Sequence, residues 1–459
     1  MIPDRYLKRL PGLLAGLQSR LDDIRSPTAD TGAVPEISEH ELQKSASELL
    51  ERLSRHYPFH QPGYAGQMLK PPHPAAWLAY ALAMTINPNN HALDGGPEAS
   101  YMEKEVIRKL VSFAGFPDKS IGHLTSSGTI ANLEALWVAR ELHPDRPVAI
   151  SSRAHYTHRR MAQLLRLPVI EIPDDEDGMP DLSKLNGPGA SSKDLPGTIV
   201  VTTGTTGLGI VEPLHRMTTW ARQNDVRIHV DAAYGGFFHA IRNTGSIDPE
   251  PWDALSQADS LVIDPHKHGL QPYGCGSVLF RDPEVGTFYK HDSPYTYFTT
   301  DDLHLGEISI ECSRAGAAAV ALWFTLELLP LNADGLGRIL SACRNAALEL
   351  YEALQESSLY RPVLKPDLDI VAFVPVEKGG TYRSVSRQTD RILKSGMAAP
   401  QNERLYLSTL RLDKQQAQRF LPGLEPDQDH IRVLRSVLMK PEHLGFVPGM
   451  MKRLDKLAE

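Results

Sequence analysis

The sequence predicts an α/β protein with a mostly parallel central sheet, an N-terminal helical segment and a smaller C-terminal α+β unit. Two observations carry this. From Gly122 to about Asp282, short apolar runs alternate with helical periodicity, the pattern of strands joined by crossover helices. The chain has 459 residues, and at about 150 residues per domain that length divides into two or three units. The expected division is a helical segment at 1–75, a large α/β domain at 76–325 and a small α+β domain at 326–459.

Taken in order, Leu7, Leu10, Leu13, Leu14 and Leu17 recur at helical spacing, and after a Pro/Gly/Thr interruption (Ser26 to Pro35) a second helix is expected over Glu39 to Arg55. His56 to Pro74 reads as an ordered loop, Pro74 to Ile86 as a helix, Asn87 to Pro97 as a loop, and Glu98 to Phe116 as an amphipathic helix. Strands follow at His123–Thr125, Val148–Ile150, Val169–Ile172, Thr198–Thr202, Arg227–Val230, Asp259–Ile263 and Gly276–Phe280. Helices are expected between them at Thr129–Leu142, Thr157–Leu165 and His215–Asn224. Ligands of such sheets bind beyond the carboxyl ends of the strands. Beyond the sheet come apolar helices at Ser313–Leu331 and Leu336–Leu354, a strand at Asp369–Pro375, a helix at Arg383–Gly396, a strand near Arg404–Leu410 and a final segment at Ile431–Met439.

Composition narrows the function classes. A hydrophobic share of 41% and a charged share of 23% suit a globular enzyme with a large core. The net charge of −8 argues against nucleic acid as a partner. No apolar run reaches membrane-spanning length, and the N-terminus lacks a signal peptide's apolar core, so no membrane partner is expected. Cys275, Cys312 and Cys343 are scattered, which points to a reduced, cytoplasmic setting. His155 with His158, His229 with Asp231, and His266 with His268 form close pairs, but no His-Glu-x-x-His or Cys-x-x-Cys spacing occurs and no metal is expected.

Four stretches at strand ends carry chemistry. Asp264-Pro265-His266-Lys267-His268-Gly269 places a lysine where a strand empties into a turn. Desolvation and cationic neighbours are expected to lower the amine pKa of Lys267, as Schiff-base chemistry with pyridoxal phosphate requires. Thr125-Ser126-Ser127-Gly128-Thr129 offers hydroxyls and free N–H groups at a helix start, either an anion site or a plain cap. A second loop, Gly204 to Gly209, also follows a strand but matches no dinucleotide or nucleoside-triphosphate pattern. His229-Val230-Asp231-Ala232-Ala233 ends a strand on an acid that is either a structural turn residue or the partner of a pyridinium nitrogen, beside small residues that admit a flat ring. Arg153-Ala154-His155-Tyr156-Thr157 places a histidine at a strand end, to stack on a flat group, shuttle protons or cap a helix.

Together these motifs, with Thr203-Gly204-Thr205-Thr206, Ser313-Arg314-Ala315-Gly316 and Leu434-Arg435-Ser436, resemble the PLP-dependent group II amino-acid decarboxylases, from about residue 56 to the C-terminus. The resemblance implies a fold-type I, aspartate-aminotransferase-like PLP enzyme that removes carbon dioxide from a small-molecule amino acid, works as a homodimer and uses pyridoxal 5′-phosphate. It implies that Lys267 forms the Schiff base, Asp231 pairs with the pyridine nitrogen, and His155 and Ala233 flank the ring. Ser126, Ser127, Gly128 and His266 would hold the phosphate, Thr206 would lie near the ring's phenolic oxygen or the substrate carboxylate, and Arg435 would hold that carboxylate. Tyr295 or Tyr297 would reprotonate the product carbon, with His155 and Lys267 as other acids. The Ser-Pro-Tyr wording at 293–295 is similar to the archaeal tyrosine/aspartate decarboxylases, whereas Ser-Arg-Ala-Gly also resembles sphingosine-phosphate lyases, leaving aldol-type carbon–carbon cleavage as the alternative.

Overall fold

The computed structural model describes residues 3–22, 36–185, 195–290 and 305–458. Seven strands form the main sheet: β1 (Ile121–Thr125), β2 (Val148–Ser151), β3 (Val169–Ile172), β4 (Thr198–Thr202), β5 (Arg227–Asp231), β6 (Ser260–Ile263) and β7 (Gly276–Phe280). Their spatial order is β1-β7-β6-β5-β4-β2-β3. Strands β2 to β6 pair in parallel, and β7 runs antiparallel to both β6 and β1. Every residue of β4, β6 and β7 is buried, as expected for strands covered on both faces. The bounds of β3, β4 and β7 coincide with those expected from the sequence.

Fourteen helices occur among the described residues: α1 (Asp4–Leu7), α2 (Leu10–Asp22), α3 (Glu39–Ser54), α4 (Pro74–Met84), α5 (Pro97–Phe113), α6 (Gly128–Leu142), α7 (Thr157–Leu164), α8 (Leu214–Gln223), α9 (Glu250–Asp253), α10 (Gly316–Leu328), α11 (Leu336–Glu356), α12 (Tyr382–Ala398), α13 (Lys414–Phe420) and α14 (Val447–Ala458). The alanine-rich α4 and α10 pack on each other, and α10 also packs on α5. Helix α3 stands apart: Ser38 and Glu41 build its capping box, yet none of its residues is buried. A second sheet, four-stranded and antiparallel, has the order β10 (Ser408–Asp413), β11 (His430–Val437), β9 (Ile370–Pro375) and β8 (Tyr360–Pro362). No helix among the described residues is long and apolar enough to cross a membrane.

Three expectations of detail need correction. The helix expected from Ser313 begins at Gly316, because Arg314 and Ala315 pair instead with Asn89 and Asn90 as extended backbone. The strand expected near Arg404 begins at Ser408, since Tyr406 bridges to Tyr64. Strand β8 and helix α13 were not expected; the capping box of Asp413 with Gln416 was a readable signal for α13.

Candidate active site

All the parallel strands of the main sheet end at one edge, and the chemistry-bearing residues follow those ends. Asp231 is the last residue of β5, His155 follows β2, Ser127 follows β1, and Asp264 to Lys267 follow β6. Residues scattered over more than a hundred positions therefore line one cavity of about 190 Å³, with Ser127, Gly128, His155, Thr206, Asp231, Ala233, His266 and Lys267 in its wall.

Lys267 differs from expectation. Its Nζ lies 2.9 Å from Asp264 Oδ2, and its charged neighbours are acids, not cations. Burial lowers its pKa, but Asp264 and Asp231 outweigh burial and raise it above the usual lysine value. The expected depression therefore fails: the free amine is held protonated by the carboxylate three residues before it. Asp264 also lies 3.6 Å from His266 Nε2, while His266 Nδ1 meets the Cys275 carbonyl at 2.7 Å. The motif at 264–269 contains Asp264, but no role for it follows from the sequence. Its signal was an acid three residues before a lysine in a turn.

Asp231 is buried in the wall of the same cavity. His158 Nε2 donates to its Oδ2 at 2.8 Å, and the Ala233 N–H donates to Oδ1 at 3.1 Å. Burial alone would raise its pKa; the His158 hydrogen bond, with the charges of His158 and Lys267, overcomes this and holds it well below the carboxylate range. His158 appeared in the sequence only as half of a possible metal pair, and it is the direct partner of Asp231. Behind them, His229 Nε2 lies 2.8 Å from Asn132 Oδ1 and Nδ1 2.9 Å from Ser260 Oγ. Burial pushes His229 down to about 3, so this ring is neutral.

The phosphate-loop candidates separate. Ser127 is the N-cap of α6, its Oγ accepting the Ile130 N–H at 3.3 Å, and Gly128 and Thr129 join it in the cavity wall. Ser126 is exposed, donates its N–H to Glu311 at 2.8 Å and is not in that wall. His155 accepts nearby through Nδ1, 2.7 Å from Thr157 Oγ1, and burial lowers its pKa. Gly204, at φ 92°, turns the chain after β4 in a conformation that favours glycine.

Arg435 is 5% exposed and heavily engaged. It donates to the carbonyls of Gly207 (2.8 Å), Thr206 (2.6 Å) and Gly66 (3.3 Å) and to Ser408 Oγ (3.2 Å). Its fork pins the Thr206–Gly207 turn, leaving one Nη2 hydrogen for a ligand. It lines an outer cavity of about 470 Å³ that shares His155 and Thr206 with the inner one. Tyr295 and Tyr297 lie outside the described residues.

The cavity suits a flat anionic ring with an aldehyde. Thr202 Oγ1 and Asp264 Oδ1, both on cavity-lining residues, are buried without a hydrogen-bond partner among the described residues, which calls for a polar occupant. An amine and an ionised acid flank the space, with small Ala233 and Gly204 in the wall and a helix start to meet an anion.

Comparison with known proteins agrees. The chain is 29% identical to a probable L-tyrosine/L-aspartate decarboxylase of Methanopyrus kandleri over 329 residues, covering 71% of this chain and 85% of the relative. It is 28% identical to an L-tyrosine decarboxylase of Enterococcus faecium, covering 69% of each. Its fold matches the crystal structures of mouse CSAD (TM-score 0.77, 19% identity, 97% of this chain and 92% of that one) and of Oryza sativa TDC with PLP and tryptamine (TM-score 0.76, 16% identity, 99% and 97%). The family described as the pyridoxal-dependent decarboxylase conserved domain matches residues 34–375, and with the greater part of its length inside that match, the chain belongs to the pyridoxal-dependent decarboxylase family.

Proposed function

We propose that this pyridoxal phosphate-dependent amino-acid decarboxylase works in the inner cavity, with Lys267 as the amine that holds the cofactor and the outer cavity as the route of an L-amino acid. The observation that carries the assignment is the amine of Lys267 between Asp264 and Asp231 in one cavity. When bound, pyridoxal phosphate supplies an aldehyde for amines and a ring that accepts the electron pair released as carbon dioxide leaves. Lys267 must give up a proton to react, and Asp264 Oδ2 at 2.9 Å is placed to take it. Asp231, kept ionised by His158, holds a proton on the ring nitrogen. Ser127, Gly128 and His266 bind the phosphate, while His155 and Ala233 flank the ring. Thr206 stands where the two cavities meet, and Arg435 fixes it and offers its remaining hydrogen to the substrate carboxylate. Tyr295 or Tyr297 is the proposed acid that returns a proton to the product carbon.

The relatives acting on tyrosine and aspartate support a substrate of that size. Aldol-type cleavage of a phosphorylated substrate would need a basic cluster in the outer cavity, along the substrate's route to Lys267. Arg153 is bonded to both oxygens of Asp174 and Arg435 to four other oxygens, so neither supports that reading. The exposed Leu42, Leu49, Leu50 and Leu53 of α3 support a homodimer, and the three free thiols support a reducing, cytoplasmic setting.

The test is purified protein with added pyridoxal phosphate. A visible absorbance band, carbon dioxide and amine from one amino acid offered singly, and loss of both band and turnover in Lys267→Ala are expected. Full turnover by Lys267→Ala would refute the assignment.

A further inference from the structure

A separate space of about 310 Å³ shares no lining residue with the inner cavity and is bordered by Leu270. Arg5, His60, Lys70, His73 and Lys440 border it, against one carboxylate, Glu442. The Lys70 amine is buried, which lowers its pKa, and among the described residues it has no hydrogen-bond partner. Of the two carboxylates that act on it, Asp369 has the larger effect and is already engaged by the Tyr234 hydroxyl at 2.6 Å and by His268 at 3.2 Å. Lys440 is 4% exposed and donates to the Tyr64 and Phe59 carbonyls. The basic groups repel one another: beyond burial, Lys440 depresses His60, and Lys70 and Arg5 depress His73. Lys440 is itself lowered to about 7, by burial first and also by Lys70. Burial lowers Lys70 as well, so these basic groups give up their protons readily while they lack a partner, and an anion bound among them would restore their charge.

We propose that this cavity is a binding site for a small dianion of the phosphate class, either inorganic phosphate or a phosphate monoester. Such an anion supplies Lys70 with the acceptor it lacks and offsets the repulsion among its neighbours. The site touches the catalytic turn. Leu270, three residues after Lys267, borders the cavity and accepts the His73 N–H at 2.8 Å.

The test is calorimetric titration of the holoenzyme in phosphate-free buffer, with inorganic phosphate and with phenyl phosphate; the cofactor already fills the inner site. One saturable site is expected, weakened about tenfold or more by Lys70→Met. Arg5→Gln, on an exposed residue, is expected to weaken it severalfold, and it keeps the test intact should Lys70→Met misfold. Both variants should keep the cofactor's absorbance band. Binding of only one probe supports the site and identifies which source of the phosphate group it accepts. No saturable binding of either anion, or binding that neither variant weakens, overturns the proposal.

Discussion

Gly128→Ala tests how tightly the start of α6 is built against Asp264 and Lys267. A methyl at this position would sit 2.4 Å and 2.6 Å from the two carboxylate oxygens of Asp264, where comfortable separations are about 3.5 Å. The carboxylate must therefore move by about 1 Å, and any rotation that clears the methyl displaces the oxygen that holds Lys267 Nζ at 2.9 Å. Overpacking costs about 1–3 kcal/mol, and a lost charge-assisted hydrogen bond about 1.5–3 kcal/mol. Better helix propensity returns at most about 1 kcal/mol. The net expectation is a loss of about 1.5–6 kcal/mol, a large share of the roughly 5–15 kcal/mol typical of a folded protein. Urea unfolding of the cofactor-free protein should show this as a lower midpoint. Titration with pyridoxal phosphate, followed by absorbance, should show at least about tenfold weaker binding. A variant with the wild-type midpoint and the wild-type cofactor affinity would refute the claim that Gly128 and Asp264 are in close contact.

Other perturbations follow from the same geometry. Asp231 titrates below its unfolded value near 4, so its charge adds stability at neutral pH that is lost as pH falls through the folded value. His158→Ala lets burial dominate and moves that loss, and the acid limb of kcat/KM, to higher pH; pH profiles identical to wild type would contradict it. Arg435→Lys replaces a fork by a point charge that cannot reach Gly207, Thr206, Gly66 and Ser408 together. Its kcat/KM should fall by about a hundredfold with cofactor absorbance retained, and steady-state kinetics at matched cofactor loading checks this. Leu136→Ala removes a fully buried side chain of α6 from its cluster with Val148, Ile150 and Val200 and should cost about 2–5 kcal/mol in urea unfolding.

Periodicity and local motifs determined most of the frame. Three strands of the main sheet have the bounds read from their apolar runs, because a strand buried on both faces announces itself by composition. The motifs at strand ends named Lys267, Asp231, His155, Ser127 and His266, and a parallel sheet brings such ends to one edge whatever the distance along the chain. Tertiary structure decided what each side chain meets. The histidines beside Lys267 in sequence suggested cationic crowding. In space His268 turns away to Asp369, and Asp264 reaches the amine instead. Ser126 and Ser127 are neighbours of one residue type, yet the helix start turns one into the cavity wall and leaves the other at Glu311. The partner of Asp231 comes from α7, and Arg435 meets the Thr206–Gly207 turn from more than two hundred residues away. Local sequence fixes backbone pattern through short-range sterics and burial, whereas charge pairing depends on distances of a few ångströms that exist only once the layers have packed.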